Sequence, residues 1–383
     1  MAGREQLLAA LTDIISGSGA PSMLMATHHL EEIPVGFTHA LALRAGVDPS
    51  RIGLHGNNKS DAEIRLALEA GIHRIFIDSM DEVHQIERIA ADLGVVAPVM
   101  VRLKSGIHAG GNEYIATAHE DQKFGLSLAS GQALGAVRAI QRAPHLDLRG
   151  LHSHIGSQIT DIKPVIEAAK IVANLTRELK AAQIDIKFFD VGGGIGIVYG
   201  DESEPDLYEY AQGILANLSG LDVTVVCEPG RFIVGNAGYF LTSVLYEKFN
   251  KEKRFVIVDG AMNDLIRPSL YQAKHKIFAL SGSKTLCECK KEQLRELKFS
   301  PCDVVGPICE SGDFLAKDRN LPPLNPGDLV VVKSAGAYGF AMSSNYNTRG
   351  RAAEVAVKGG EDFMIRRRES FEDVVALERE FLS

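Results

Sequence analysis

The sequence predicts an α/β protein in which a parallel sheet of the (β/α) barrel kind is followed by an antiparallel β domain. Three observations predict it. Between about Ala45 and Gly235, short apolar runs alternate with amphipathic stretches, the pattern of strand–helix–strand units with right-handed crossovers. Polar or glycine-rich residues sit just past the carboxyl ends of several of these runs, the edge on which parallel sheets carry their sites. Beyond Gly235 the helical periodicity stops, and runs that alternate or stay apolar follow one another with little helix between them.

Length and composition set the bounds. The chain has 383 residues, 45% hydrophobic and 23% charged, with a formal charge of -8, enough to bury large cores in two domains. We place a segment over residues 1–44, the sheet-and-helix domain over 45–235, and the β domain with a final helix over 236–383. The acidic balance and the lack of clustered Lys and Arg exclude an extended nucleic-acid surface. No run approaches 18 uncharged apolar residues, and the N-terminus lacks the basic start and compact apolar core of a secretion signal, so the expectation is a cytoplasmic protein without a membrane partner. Five cysteines suggest reduced thiols. Cys287-x-Cys289 with Cys302 and Cys309 is too irregular a spacing for zinc, and no metal is expected.

In chain order, Glu5 to Ile15 has helical periodicity and Met23 to Thr27 reads as a short strand. Strands are then expected at Ile52 to His55, Arg74 to Asp78, Pro98 to Leu103, Leu148 to His154, Ile186 to Val191 and Val223 to Glu228. Helices with apolar residues at three and four spacing are expected at Ala62 to Ala70, Met80 to Leu93, Gly131 to Arg142 and Ile162 to Lys180. Six strands are countable where a closed barrel needs eight. In the second half, Tyr239 to Lys248, Phe255 to Asp259, Asp328 to Ser334 and Ala353 to Lys358 read as strands and Ser370 to Phe381 as a helix.

Four motifs mark the strand ends: His55-Gly56-Asn57-Asn58-Lys59, His154-Ile155-Gly156-Ser157-Gln158, Gly192-Gly193-Gly194, and Glu228-Pro229-Gly230-Arg231. Three adjacent glycines after an apolar strand leave bare backbone whose N–H groups suit a phosphate, or form a turn with no ligand. Alternation points His152 away from His154 and favours a packed residue over a ligand. Lys59 reads equally as a phosphate contact or a solvated loop lysine. The second half adds Cys309-Glu310-Ser311-Gly312-Asp313 and Gly336-Ala337-Tyr338-Gly339.

Thr27 to Glu32 resembles the strand and switch histidine of ABC-type transporter ATPases, but no G-x-x-x-x-G-K-[ST] loop exists to form an ATP site. From about residue 45 to the end, the chain resembles the diaminopimelate decarboxylases. The likeness is carried, in order, by His152 to Gln158, Gly192 to Gly194, Glu228 to Arg231, Ile266-Arg267-Pro268-Ser269-Leu270-Tyr271, Cys309 to Asp313 and Gly336 to Tyr338. The resemblance implies a (β/α)8 barrel binding pyridoxal 5'-phosphate (PLP), a β domain, and decarboxylation of meso-diaminopimelate to L-lysine.

It further implies that Ser157, Gly193, Gly194 and the Pro229-Gly230-Arg231 turn hold the phosphate, that Glu228 pairs with the pyridine nitrogen, and that His154 stacks on the ring. Arg231, Arg267, Tyr271 and Glu310 would recognise the substrate, Tyr338 would touch cofactor and substrate, and Cys309 would donate a proton across a homodimer interface. Ornithine or arginine decarboxylases are the alternative within this chemistry, and a non-catalytic relative that binds ligands or partner subunits is the alternative outside it. The family carries its cofactor-linking lysine on the first barrel strand, whereas the first lysine here is Lys59, in the motif of the third strand. Residues 1–44 match no part of the pattern, which leaves barrel closure and activity as the points the resemblance does not carry.

Overall fold

The computed structural model describes residues 38–107, 122–281, 284–285 and 298–381. The expected elements at Glu5 to Ile15 and Met23 to Thr27, the Thr27 to Glu32 segment, and Cys287 and Cys289 lie outside the described residues. The chain divides into two compact units, residues 38–197 with 203–232, and residues 198–202 with 233–381.

The first unit follows the predicted alternation. Helix α1 (Thr38–Arg44) leads to β1 (Gly53–Leu54), α2 (Asp61–Glu69), β2 (Arg74–Ile77), α3 (Met80–Leu93), β3 (Ala97–Lys104), β4 (Leu126–Ser127), α4 (Gln132–Arg142), β5 (Leu146–Ser153), α5 (Lys163–Ala181), β6 (Phe188–Gly193), α6 (Leu207–Asn217) and β7 (Thr224–Glu228). The strands form one sheet in the order β1-β2-β3-β5-β6-β7, with β4 paired to the end of β3. Every pairing in it is parallel. It is a seven-stranded open arc among the described residues, one short strand more than the sequence reading counts. The two-residue β4 has no periodicity to detect, and α6 was missed for the same practical reason: its buried face is only Tyr210 and Ile214.

Local chemistry sets the helix ends. Ser60 caps α2 in a reciprocal pair with Glu63, and Ser79 accepts the Glu82 N–H to cap α3. Helix α3 stops where Gly94 takes φ 67°. The apolar stripes Val83, Ile86, Ile89 and Ala90 of α3, and Val165, Ala169, Val172 and Leu179 of α5, pack with the sheet residues Ile75, Val99, Val101 and Leu151 into one core.

The second unit holds β8 (Phe240–Asn250), β9 (Lys253–Val258), β10 (Ile277–Ser281), β11 (Lys284–Thr285), β12 (Ser300–Val305), β13 (Phe314–Leu321), β14 (Leu329–Val332), β15 (Glu354–Lys358) and β16 (Glu361–Arg366). The first seven form a sheet ordered β11-β10-β14-β8-β9-β12-β13, and β15 and β16 form a hairpin. The expected antiparallel character holds except at one place. Strands β9 and β12 run parallel, because β10 and β11 intervene in sequence and the chain returns through a long connection that permits the parallel direction. The expected helix over Ser370 to Phe381 is shorter, a turn of helix at Phe371–Val374 and a second short turn at Arg379–Phe381. Phe371, Leu377 and Phe381 are all exposed, so no buried apolar face supports a longer helix. No helix among the described residues is long and apolar enough to cross a membrane.

Candidate active site

The carboxyl ends of β1, β5, β6 and β7 carry the four motifs of the first unit. Register explains it: Gly193 on β6 stands opposite Glu228 on β7, and His152 on β5 stands opposite Asp190 on β6. The glycines are demanded by backbone packing. A Cβ on Gly193 would lie 1.9 Å from the Glu228 carbonyl oxygen, and one on Gly194 would lie 2.1 Å from the Gly156 carbonyl oxygen. The same closeness draws the triple glycine, the Gly156-Ser157 turn and the Glu228 to Arg231 turn to one place. There Arg231 Nη2 donates to Ser157 Oγ at 2.8 Å, and the Gly193 N–H donates to His154 Nδ1 at 3.2 Å. Gly230 and Arg231 begin a short helix, Gly230–Val234, directly after Pro229.

His154 is half-buried and stays neutral, since burial and then the Arg102 guanidinium push its pKa down to about 3. Glu228 accepts from two imidazoles, His55 Nε2 at 2.8 Å on one oxygen and His152 Nε2 at 3.3 Å on the other. Burial opposes its ionisation, but the imidazoles outweigh that and hold its carboxyl well below the usual carboxylate range. Asp190, buried behind it, goes the other way: burial and the Glu228 charge push it up to about 7. His152 is packed, as expected, but the direction inferred from strand alternation is corrected: residues two apart along an extended strand share a face, and the His152 ring reaches Glu228.

Lys59 corrects both readings made of it. It is neither in solvent nor open to a phosphate. Its Nζ lies 2.9 and 3.1 Å from the two Glu82 oxygens and also donates to the Gly56 carbonyl, with the side chain 1% exposed. Burial lowers its pKa and Glu82 opposes that shift. The motif it belongs to is therefore clamped to the start of α3, which the sequence could not show because the partner lies 23 residues on.

The second unit holds the remaining predicted residues. Arg267 is buried, stacks its guanidinium 4.2 Å from the centre of the Tyr199 ring and donates through Nη1 to His275 Nε2 at 2.9 Å. Nδ1–H of His275 donates in turn to the Lys333 carbonyl. Ser269 Oγ donates to the Gly312 carbonyl, which ties the Arg267 to Tyr271 helix to the Cys309 to Asp313 loop. Asp313 holds that loop by accepting the Met262 and Ile308 N–H groups, both at 2.7 Å. Cys309 and Glu310 are exposed, and the Tyr346 hydroxyl donates to Glu310 at 2.9 Å. Tyr271 and Tyr338 are half-buried, and Tyr338 sits at φ 57° in its glycine-flanked turn. Sequence reading left His55, Phe76, Asp190, Tyr199 and His275 without a role. Only His55 carried a signal, a histidine closing a strand just before a glycine as His154 nearly does.

The first cluster can be tested against a phosphorylated pyridine. It offers a hydroxyl, a guanidinium and close-packed glycine backbone beside an ionised carboxylate whose side chain is 13% exposed, and these residue types fit the phosphate and the ring nitrogen. Lys59, committed to Glu82, does not supply an amine to it.

Comparisons with known proteins agree with this chemistry. Residues 39–235 match the family described as "Pyridoxal-dependent decarboxylase, pyridoxal binding domain". A diaminopimelate decarboxylase of Campylobacter jejuni is 48% identical over 342 residues, covering 89% of this chain and 81% of the relative. One of Pseudomonas aeruginosa is 44% identical over 334 residues, covering 87% and 77%. The crystal structure of diaminopimelate decarboxylase from Helicobacter pylori complexed with L-lysine superposes with a TM-score of 0.85 at 40% identity, covering 99% of this chain and 95% of that one.

Proposed function

Because the chain belongs to the pyridoxal-dependent decarboxylase family, we propose that it binds pyridoxal 5'-phosphate and acts on meso-2,6-diaminopimelate, giving L-lysine and CO2. The observation that carries the proposal is the convergence of Ser157, Gly193, Gly194, Glu228 and Arg231 at one end of the parallel sheet. The bound cofactor supplies an electron sink for the pair left when CO2 departs. The chain's own residues orient and protonate. The Ser157 hydroxyl, the Gly193 and Gly194 backbone and the Pro229-Gly230-Arg231 turn would hold the phosphate, Glu228 would pair with a positive ring nitrogen, and neutral His154 would face the ring. Arg267 offers a planar fork to a substrate carboxylate and Glu310 an acid to its distal ammonium. Tyr271 and Tyr338 would line the substrate, and Cys309 would donate a proton to the carbon that lost CO2.

We further propose a cytoplasmic homodimer in which Cys309 and Glu310 complete the partner's site, an isologous arrangement that makes two equivalent sites. Both residues are exposed and available for it. Sedimentation of the full chain reads the assembly.

A second reading, favoured by the placement of Lys59, is a chain that holds the cofactor without a covalent link to that lysine, since its amine is committed to Glu82. One experiment addresses both. Pyridoxal 5'-phosphate is titrated into the full chain, then reduced with borohydride and the peptides mapped. The expected result is saturable binding weakened by Glu228→Gln and by Arg231→Ala, with no stoichiometric pyridoxyl label on Lys59 or Lys104. Unchanged affinity in both variants removes the cluster as the cofactor site, and a stoichiometric label on Lys59 removes the second reading.

A further inference from the structure

We propose that His55 and His152 are a pair of positioning residues that hold Glu228 as an undischarged anion for a protonated pyridine nitrogen. The inference rests on the reading that this unit takes a phosphorylated pyridine, and it assigns a role to two histidines that the preceding subsections leave without one.

The hydrogen-bond geometry fixes the protonation pattern. A carboxylate only accepts, so the 2.8 Å contact from His55 Nε2 and the 3.3 Å contact from His152 Nε2 place a proton on each Nε2. For His152 the other nitrogen agrees. Nδ1 is buried without a partner, tolerable for a lone pair but costly for an N–H donor. Both rings are locked in place. His55 stacks on Phe76 with centroids 3.5 Å apart at 16°, and His152 meets the edges of Phe76 and His55, each at 5.0 Å. Phe76 is itself buried, so the three rings form a wall from the ends of β1, β2 and β5 that aims two N–H groups at one carboxylate on β7.

The choice of donor matters more than the number. An arginine or lysine at either position would neutralise Glu228 and leave nothing to favour a charged ring. An imidazole N–H that carries no net charge, the form burial favours for His152, stabilises the anion while leaving its full charge unspent, and each oxygen keeps a second lone pair for another N–H. The nearby Asp190 fits the same logic, since it is the carboxyl pushed towards the protonated form, leaving the charge on Glu228. His55, His152 and Glu228 bring their ligand atoms within 4.8 Å of one another, so a divalent cation is the competing occupant, and the test has to separate the two.

The test compares two ligands on the full chain by calorimetry: pyridoxamine 5'-phosphate, and benzyl phosphate, which keeps the ring and phosphate arm but has no ring nitrogen. Wild type is expected to prefer pyridoxamine 5'-phosphate. His152→Phe and His55→Phe, which keep ring packing and lose the N–H, should each weaken pyridoxamine 5'-phosphate by at least about tenfold and leave benzyl phosphate unchanged. His152→Gln, which restores an N–H near the Nε2 position, should recover most of the loss. If the Phe variants weaken both ligands equally, the histidines serve the fold and the proposal is overturned; if neither ligand is weakened, it is overturned as well. Zinc that excludes pyridoxamine 5'-phosphate from wild type, with His152→Phe losing zinc but not pyridoxamine 5'-phosphate, overturns it in favour of a metal site. A wild type that binds the two ligands equally removes the ring-nitrogen reading on which the proposal stands. That outcome is told from the others by needing no variant.

Discussion

Replacing Lys59 with methionine should destabilise the first unit by about 3 kcal/mol. The substitution keeps the length of the stem and removes the ammonium that meets both Glu82 oxygens at 2.9 and 3.1 Å, with the two side chains 1% and 6% exposed. Breaking a buried pair by deleting one partner costs about 3–5 kcal/mol, because the other charge stays behind uncompensated. The lower end applies. Glu82 also accepts the Asp78 N–H at 2.8 Å and lies in the first turn of α3, where the helix dipole eases a negative charge by about 0.3–1 kcal/mol. With urea m-values of about 1–3 kcal/mol per molar, the midpoint should fall by about 1–3 M. Urea titration followed by far-UV circular dichroism is the assay, since the chain has no tryptophan to report. Adding Glu82→Gln should recover most of the loss, because the amide oxygen can still accept from Asp78 and no lone charge remains buried. A loss below about 1 kcal/mol for Lys59→Met, or losses that simply add in the double variant, would refute the buried-pair account.

Two further outcomes follow from the geometry. Gly193→Ala should open the β6–β7 contact and abolish pyridoxamine 5'-phosphate binding, as its Cβ would sit 1.9 Å from the Glu228 carbonyl oxygen, whereas Gly135→Ala in α4, with nothing within 4 Å, should gain up to about 1 kcal/mol; the two are read side by side by calorimetry and urea titration, and a tolerated Gly193→Ala would contradict the close approach. Asp190 holds its proton in the folded state up to about pH 7, above the ordinary carboxylate value of 3.8. Its contribution is therefore fully present below that ordinary value and is lost as pH rises towards 7, at about 1 kcal/mol per unit. Asp190→Asn should thus gain on wild type between about pH 4 and about pH 7, and parallel stability curves across that window would show that Asp190 ionises as an ordinary acid.

How much of this was legible in the chain depends on how far apart the interacting residues lie. The boundaries of α3 were read to the residue, since its stripe of Val83, Ile86 and Ile89, its Ser79 cap and its Gly94 stop are all local signals. The triple glycine was legible as a place of close approach, though the neighbour that requires it is the backbone of Glu228 and Gly156. Lys59 was not legible, because a charged residue after an Asn-rich turn looks solvated until the start of another helix is laid over it.

By itself, the sequence determined most of the elements of the first unit and the alternation that makes its sheet parallel, since periodicity is a property of short stretches. Tertiary structure alone decided that β9 and β12 run parallel, that Lys59 serves Glu82, and that His55 and His152 converge on Glu228 from 173 and 76 residues away, through a sheet register in which His152 stands by Asp190 and Gly193 by Glu228. The physical reason is that a buried charge is stabilised by whatever the fold places within about 3 Å of it, and register, not sequence proximity, sets that neighbourhood.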